Sequence, residues 1–399
     1  MTGALGTALH GAPAKFRTGL VDVAPGICAW LQPNGDWSES NAGLVIGDGA
    51  AALIDTAWDL ALTRRLLEAV GQRTAEPITT LIATHGDGDH VNGFELVPGA
   101  RLVASRATAA DIAHERPAGL RRSALGARLL SRIAFGRPRR FGDYVASMME
   151  PFDFRGIALR TPDQTFERSL TLDVGGHRVD LRRLGPAHTS GDTIVHLPES
   201  EVVFAGDLLF TGVTPNAWSG TIDRWRRALH AIGELGPRVI VPGHGPLSGL
   251  AELEMLDRYW AWLTDQALRR LAHGTSVYET ARQIVLSPAF AAQPWATWEC
   301  PERTVMNVEM LARDRVQPHR PITHRERPAL MWKVARLHHE LQGHAARRRS
   351  HGSVAQGVES RHGPALICER GRAMRRRLIL LAALPLVVVA PLTPTTAAA

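Results

Sequence analysis

The sequence predicts an α/β (α+β) fold, a four-layer αββα sandwich in which two sheets face each other and helices cover their outer sides. Short apolar segments alternate with turn residues in two sets, which are separated by a helical, arginine-rich stretch. Segments with helical spacing lie within and after these sets. Residue types that bind metal ions stand at the ends of several predicted strands. Together these patterns favour a layered domain whose polar residues gather at one edge of the sheets.

The first set of strands consists of apolar residues bounded by glycines and polar turns. Its members are predicted at Gly19–Val23, Ile27–Leu31, Ala42–Ile46, Ala51–Asp55, Ile78–Thr84 and Arg101–Ala104. Gly47–Gly49 (GDG) joins the third and fourth strands as a hairpin turn. Leu60–Val70 has helical spacing, so we expect a helix between the fourth and fifth strands.

Residues 105–154 interrupt the strands with helical, arginine-rich sequence such as SALGARLLSRIAF and YVASMME. One interpretation makes this segment an insertion that lies over the mouth of the functional site. The other makes it a helical layer that touches no substrate. The sequence alone leaves both interpretations open.

The second set of strands follows the insertion, and helices follow the second set. The strands are predicted at Leu170–Val174, Arg178–Leu184, Thr193–Leu197, Val202–Ala205 and Val239–Val241. Gly175-Gly176 is the turn between the first two. Helices are predicted at Asp223–Leu235, Leu250–Ala272 and Ser276–Leu286.

The chain divides by composition into four parts. Residues 1–17 form an N-terminal extension, residues 18–250 form the layered domain, and residues 251–345 form a C-terminal helical region. Residues 346–399 form an arginine-rich tail without periodicity, which we expect to be disordered. The tail ends in a short hydrophobic segment that is laid out like a signal peptide at the wrong end of a chain. A gene-prediction artefact, a tail anchor and an internal packing segment are the three interpretations of this ending.

The net charge of the 399-residue chain is +7, and it comes from the tail. Between Ala345 and Arg377 nine arginines stand against two glutamates, and 9 − 2 = +7, so the other residues balance to zero. A neutral domain does not favour a nucleic-acid partner, and we expect membrane contact only through the hydrophobic tail. Because no export signal opens the sequence, we expect a cytoplasmic protein. The three cysteines lie far apart without a CxxC motif, which argues against a thiolate metal cage.

Metal-binding residue types recur in five segments, each placed where a strand should end. Asp55 lies in LIDT, THGDGDH carries four such residues, and GPAHTSGD, FAGDLLF and VPGHG carry one candidate ligand each. Imidazole and carboxylate together suit zinc, iron or manganese. Because a strand followed by a tight glycine-containing loop can turn neighbouring side chains toward one point, the pattern predicts a metal centre. Its candidate ligands are His85, Asp87, Asp89, His90, His188, Asp207 and His244.

Taken in order, these segments resemble the motifs of the metallo-β-lactamase superfamily, in its glyoxalase II-like hydrolase branch. The resemblance runs from about Val21 to His244 and implies the αββα fold. It also implies a metal-dependent hydrolase, with two Zn²⁺ ions per chain as the favoured cofactor. By the same resemblance Asp207 bridges the two metals. Site one then holds His85, Asp87 and His188, and site two holds Asp89, His90 and His244.

One position departs from the family pattern. The second motif is HxHxDH in the family, whereas this chain has Asp87 in place of the second histidine. A carboxylate adds negative charge and a harder oxygen ligand, which favours iron or manganese relative to zinc and makes a bound water less acidic. A diiron oxidoreductase of the same superfamily and a catalytically weak metal-binding protein are therefore the alternatives to a hydrolase.

The expected reaction is hydrolysis of a small ester, thioester, lactone or amide by a hydroxide that two metal ions activate. Asp89 and Asp207 are the expected catalytic residues, because Asp89 can orient the nucleophile and Asp207 can bridge the metals. Asp55, Thr84 and Asp192 are expected to hold the metal ligands in place, and the alternative for Asp55 and Asp192 is a plain turn position. The expected partner is a small-molecule substrate, while its identity and the oligomeric state do not follow from the sequence. Trp58, Trp218 and Trp225 are candidates for the pocket wall or the core.

Overall fold

A computed structural model describes residues 13–33, 37–317, 320–323 and 325–355, with side chains described as far as residue 344. The hydrophobic ending and most of the predicted disordered tail lie outside these residues. The chain divides into two units, Met1–Arg348 and Arg349–Ala399. The first unit contains both the predicted layered domain and the helical region after it. Of the second unit, only the end of one helix is described.

Seven strands form the first sheet, and they are neighbours in the same order as in the sequence. The first four strands pair antiparallel, and the last three join in parallel. The seventh strand was not predicted, because three residues are too few to show an alternating pattern. The strands are β1 (Gly19–Ala24), β2 (Ile27–Leu31), β3 (Ala42–Ile46), β4 (Ala51–Ile54), β5 (Ile78–Ala83), β6 (Arg101–Ser105) and β7 (Gln164–Phe166).

Five strands form the second sheet in the order β12-β11-β10-β9-β8. Only β11 and β12 pair in parallel. Both are longer than predicted, so Asp207 and His244 lie within strands and do not follow them as expected. The strand that contains Asp207 is extended because apolar residues continue on both sides of the aspartate. The strands are β8 (Ser169–Val174), β9 (His177–Arg183), β10 (Thr193–Leu197), β11 (Val202–Phe210) and β12 (Val239–His244).

Helices separate and follow the strands. Three of them, α3 to α5, occupy the predicted insertion, and the last, α11, continues into the segment predicted to be disordered. Propagating a helix costs far less than starting one, and buried Leu330, Val334 and Leu337 anchor α11 before that segment begins. The helices are α1 (Leu60–Arg73), α2 (Gly88–Val91), α3 (Arg106–His114), α4 (Pro117–Ile133), α5 (Gly136–Met149), α6 (Ile222–Gly233), α7 (Leu250–Ala272), α8 (Val277–Val285), α9 (Pro288–Ala291), α10 (Thr304–Val316) and α11 (Arg327–Ala355).

Apolar side chains separate four layers and confirm the predicted αββα sandwich. Residues of both sheets, such as Val103 and Val179, pack together between the sheets. Leu66 of α1 belongs to a second cluster, on the outer side of the first sheet. Trp225 of α6 and Trp260 of α7 belong to a third, on the outer side of the second sheet. No helix within the described ranges has both the length and the apolar composition that a bilayer span requires.

Candidate metal centre

The segment after β5 supplies four of the candidate ligands. The predicted loop is in part a single helical turn, because α2 begins at Gly88 and contains Asp89 and His90. Gly86 allows this tight path: a Cβ atom on it would lie 2.6 Å from the Cβ of Asp111 in α3. This turn places the four candidate ligands together at one edge of the first sheet.

Asp207 lies at the middle of the centre and is reached by four imidazoles. Its Oδ1 is 3.2 Å from Nε2 of His90. Its Oδ2 is 3.3 Å from Nε2 of His188, 3.5 Å from that of His244 and 3.8 Å from that of His85. One carboxylate therefore faces both groups of candidate ligands, as expected for a bridging residue.

The pairing of β11 with β12 is irregular beside this carboxylate. Gly206 has a φ of +51°, a left-handed conformation that a residue with a side chain rarely adopts. Local irregularities of this kind redirect side chains and are common next to functional sites. The bulge thus accounts for an acidic side chain within an otherwise apolar, buried strand.

The remaining candidates fall into the two groups expected from the motif order. Each group offers ligand atoms that all lie within 4.8 Å of one another. In site one, Nε2 of His188 is 3.2 Å from Oδ2 of Asp87. In site two, Nε2 of His244 is 3.5 Å from Oδ2 of Asp89. The structure thus brings together all seven predicted ligand residues, from four separate segments of the chain.

The donor set of this centre fits divalent metal ions. Within the described part of the chain, Nε2 of His85, Nε2 of His90 and Oδ1 of Asp207 are buried without a hydrogen-bond partner. Buried polar atoms rarely stay unsatisfied, and coordination of a metal ion would satisfy these three. Ligand atoms around a tetrahedral zinc ion, with bonds of about 2.0–2.1 Å to imidazole nitrogen, lie roughly 3.3 Å apart. The distances from Asp207 to His90, His188 and His244 are close to that spacing, and the distance to His85 is longer, at 3.8 Å.

The electrostatics of the centre favour a cation. Burial, reinforced by the neighbouring His90, lowers the pKa of His85 to about 4, so its imidazole is neutral. Burial opposes ionisation of Asp207, yet the surrounding imidazoles hold the pKa of this carboxyl well below its usual range. Burial lowers the pKa of His188, but the nearby carboxylates of Asp207 and Asp87 outweigh this effect and raise the pKa to about 9. A buried centre with several carboxylates is the environment in which metal ions balance charge.

Asp55 and Thr84 hold two of the imidazoles from behind. Oδ2 of Asp55 lies 3.0 Å from Nδ1 of His90 and accepts a 2.6 Å hydrogen bond from Oγ1 of Thr84. The same Thr84 oxygen is 3.0 Å from Nδ1 of His85. These contacts leave the Nε2 atoms of both rings free to face the centre, the arrangement usual for metal-binding histidines. Asp55 itself adopts a left-handed backbone, with φ of +58°.

Asp192 orders the loop of His188 through hydrogen bonds to Ala187 and Thr189. Its carboxylate accepts hydrogen bonds from the backbone amides of Ala187 at 3.0 Å and Thr189 at 2.9 Å. The ring of His188 is held instead by the carbonyl oxygen of Asn216, which lies 2.6 Å from Nδ1. Asp192 is therefore a turn residue that positions a candidate ligand through the backbone, which combines the two roles expected for it.

Several supporting residues were missed by sequence analysis. Asn216 acts through its carbonyl group, so its side chain gives no signal in the sequence. Ser40 donates a 2.6 Å hydrogen bond to the carbonyl oxygen of Asp89. Asn41 donates through Nδ2 to the carbonyl oxygens of Pro242 and Gly245, which flank His244, each at 2.9 Å. The dipeptide Ser-Asn before a strand resembles any turn, and only the folded arrangement shows its role.

A cavity of about 390 Å³ opens onto the centre. Its wall is largely apolar and includes Trp58 and Trp218, whereas Trp225 is fully buried in the core. Helices α4 and α5 supply one side of the wall, so the insertion lies over the site and the first interpretation of residues 105–154 is favoured. The centre contributes Asp87, Asp89, His188, Asp207 and His244 to the lining.

Arg327, at the start of α11, stands beside the residue that departs from the family pattern. Its Nη2 is 3.9 Å from Oδ1 of Asp87. Its guanidinium group lies over the ring of Trp218, at 4.2 Å from the ring centroid. The arginine therefore places a positive charge next to the additional carboxylate of site one. No sequence motif points to it, because it lies well beyond the last candidate ligand.

Residues 35–244 match the family model of the metallo-beta-lactamase superfamily. The chain belongs to this superfamily. Its relatives in the superfamily are metallo-hydrolases that bind divalent metals, and at the level of the family this chain is a metal-dependent hydrolase. The fold, the two groups of candidate ligands and the shared Asp207 agree with that membership.

Three similar proteins show how far the likeness extends. The type 2 metallo-beta-lactamase of Bacteroides fragilis is 24% identical over 222 residues, which are 54% of this chain and 72% of that protein. The linear primary-alkylsulfatase of a Pseudomonas species is 24% identical over 258 residues, or 60% of this chain and 48% of that protein. The solved structure of a stereoselective inverting sec-alkylsulfatase from Pseudomonas has a TM-score of 0.58 at 17% identity, covering 76% of this chain and 50% of its own. At that identity the structural likeness concerns the fold alone.

Proposed function

We propose that this member of the superfamily hydrolyses a small ester, thioester, lactone or amide with two zinc ions as its cofactor. The observation that carries the proposal is the carboxylate of Asp207, which is shared by two groups of three residues. Each group offers a combination of imidazole and carboxylate that suits zinc. Two groups joined by one carboxylate are what a dinuclear hydrolytic centre requires.

The residues of the chain divide the work between them. When bound, the two cations lower the pKa of a water molecule and polarise the bond to be cleaved. His85, His90, His188 and His244 present ring nitrogens to them, and Asp207 spans both groups. The side chain of Asp89 is 14% exposed and borders the cavity, so it can orient a nucleophile there as well as serve as a ligand.

The cavity supports a small-molecule substrate with an apolar part. Its volume of about 390 Å³ falls within the usual range for small-ligand pockets. Trp58, Phe141 and Met149 contribute apolar surface to its wall. A reactive carbonyl or ester group directed at Asp207 would leave the rest of such a substrate against this wall.

The proposal is tested by a panel of chromogenic substrates and the zinc-loaded protein. The panel contains an ester, a thioester, a lactone and an amide, together with the β-lactam and sulfate ester suggested by the names of the relatives. We expect hydrolysis of at least one compound that a chelator abolishes and added zinc restores. Failure of the reconstituted protein on the whole panel would contradict the proposal.

Asp87 favours one second candidate, a diiron oxidoreductase. The carboxylate at this position provides a hard oxygen ligand, which suits iron better than it suits zinc. Metal analysis of protein purified without added metal separates the two proposals. Zinc together with hydrolysis supports the first, whereas iron together with oxygen consumption supports the second.

A further inference from the structure

The outer side of α4 exposes a row of large apolar side chains. Leu125, Leu129 and Ile133 follow one another at intervals of four residues, so they lie on one side of the helix. Their exposed fractions are 54%, 56% and 62%. Phe135 follows directly, between α4 and α5, and is 79% exposed. We call these four residues the apolar row.

Arginines surround the apolar row. The segment from residue 116 to residue 140 contains no aspartate or glutamate. Arg121, Arg122, Arg128 and Arg132 lie three or four positions from a member of the row, and such positions are neighbours on a helix. Although the whole domain is close to neutral, this segment is strongly positive. Its arginines are Arg116, Arg121, Arg122, Arg128, Arg132, Arg137, Arg139 and Arg140.

The opposite side of the same two helices belongs to the fold and the cavity. Ala124 and Ala127 of α4 are buried, with only 8% and 3% exposure. Leu120 of α4 and Val145 of α5 line the cavity above the metal centre. The hairpin of α4 and α5 thus presents one apolar side to the cavity and a second, mixed with arginine, to solvent.

We propose that the apolar row and its arginines dock on the surface of an anionic lipid bilayer. A helix with apolar residues on one side and flanking arginines lies in the plane of a membrane interface, where the apolar side chains enter and the cations contact anionic headgroups. Nucleic acid would engage the arginines, and its bases could stack on Phe135, but it offers no apolar surface to the three exposed aliphatic side chains of α4. A neutral surface would offer nothing to the arginines. Lipid of negative charge is the partner that matches both.

This docking differs from the membrane contact expected from the sequence, which involved only the C-terminal hydrophobic segment. It requires no membrane span, because the helix lies on the surface and does not cross it. It would hold the cavity, which the same helices line, close to the lipid surface. The inference does not depend on the proposed hydrolysis, since vesicle binding is measured without any reaction.

The test uses the full chain and vesicles that contain phosphatidylcholine and phosphatidylglycerol in equal parts, with pure phosphatidylcholine for comparison. We expect co-flotation with the anionic vesicles and a decrease as salt is raised. The triple substitution Leu125→Ser, Leu129→Ser and Ile133→Ser should weaken this binding at least ~10-fold. A second variant, Arg121→Gln with Arg122→Gln and Arg132→Gln, should weaken binding to anionic vesicles at least ~10-fold and leave binding to neutral vesicles unchanged.

The control is Val316→Ser, which removes an apolar side chain that is 81% exposed on α10 and should leave vesicle binding unaltered. Circular dichroism and activity on a water-soluble substrate should be unchanged in the triple serine variant, because its three positions do not line the cavity. Vesicle binding by this variant equal to that of the parent chain would overturn the proposal. Gel filtration adds a second readout. A dimeric parent and a monomeric serine variant that bind vesicles equally would also overturn the proposal, because the apolar row would then hold two copies of the chain together.

Discussion

The two groups of candidate ligands share Asp207, but different parts of the chain support them. Site two is held close to the strands that form it, because Asp55 at the end of β4 contacts His90. Site one depends on residues much farther along the chain: the Asn216 carbonyl holds His188, and Arg327 of α11 stands beside Asp87. Both sites take ligands from the two sheets, but His90 of site two is supported from the first sheet by Asp55, whereas site one also needs support from the later residues Asn216 and Arg327.

Each site has one carboxylate of its own, and the two sites differ in how that carboxylate relates to the family motif. Site two has one carboxylate of its own, Asp89, which is the residue that the family motif contains. Site one has an additional carboxylate where the motif has a neutral imidazole. The guanidinium of Arg327 offsets the charge of Asp87, and removal of either residue should therefore affect site one more than site two.

Replacing the shared carboxylate should harm both sites at once. We expect Asp207→Ala to lower turnover by at least ~1,000-fold and to reduce metal content, because both groups lose a ligand. Circular dichroism should show that the fold is kept, and Asp223→Ala on the exposed start of α6 is the matched control. Near-normal turnover in Asp207→Ala would remove the basis for a bridged centre.

His90→Ala should abolish turnover because it impairs site two, while site one keeps all its ligands. The variant loses one imidazole ligand, so we expect about one metal ion to remain per chain, in site one. Elemental analysis and a turnover assay on the same sample check this result. His273→Ala, at the exposed end of α7, serves as the control. Two fully occupied sites with normal turnover would contradict the role given to His90.

Asp55→Asn should weaken site two without removing any ligand. Asparagine has nearly the size of aspartate and tolerates the left-handed backbone at this position, but it lacks the negative charge that faces Nδ1 of His90. We expect about 10- to 100-fold weaker metal retention, as is usual when a carboxylate behind a metal-binding histidine is lost. Titration with a chelator measures it. Equal retention by Asp55→Asn and the parent would show that the contact is dispensable.

Asp87→His restores the family motif in site one. Because imidazole is a good zinc ligand, we expect zinc occupancy to stay the same or to rise. Competition between zinc and iron, followed by elemental analysis, gives the more sensitive readout, since the fraction of sites occupied by iron should fall. A strong loss of metal would instead reveal a requirement for the carboxylate of Asp87.

Arg327→Gln should have the smallest effect, within about 10-fold on metal retention. Loss of the positive charge leaves the carboxylate of Asp87 uncompensated, so the direction we expect is tighter retention of a cation in site one. The same substitution in an Asp87→His background should do less, because the charge that it acts upon is gone. Equal effects in both backgrounds would show that Arg327 and Asp87 are not coupled.

Sequence reasoning performed best where local pattern and chemistry agree. The strands around THGDGDH are short apolar runs with glycine at their ends, so their positions and the ligand types after them can be read directly. The two sets of strands predicted the fold, and the order of the ligand segments implied the same fold by resemblance. Asp207 was identified although the predicted strand ended too early, because its residue type gave a stronger signal than the boundary of the strand.

The parts that sequence reasoning missed depend on contacts between distant segments. Asn216 acts through a backbone carbonyl, and Arg327 reaches the centre only because α11 packs back against the domain. Neither position carries a local pattern, since nothing near them in sequence indicates a metal site. The helix α11 likewise extends past residue 345, where the predicted helical region ends, because its start is anchored by packing that no local propensity reveals.

The most direct test of the central claim is elemental analysis of the full chain purified without added metal. We expect about two divalent ions per chain in the parent protein, and fewer in both sites of Asp207→Ala. A parent protein that is free of metal, and that takes up none on reconstitution, would contradict this claim.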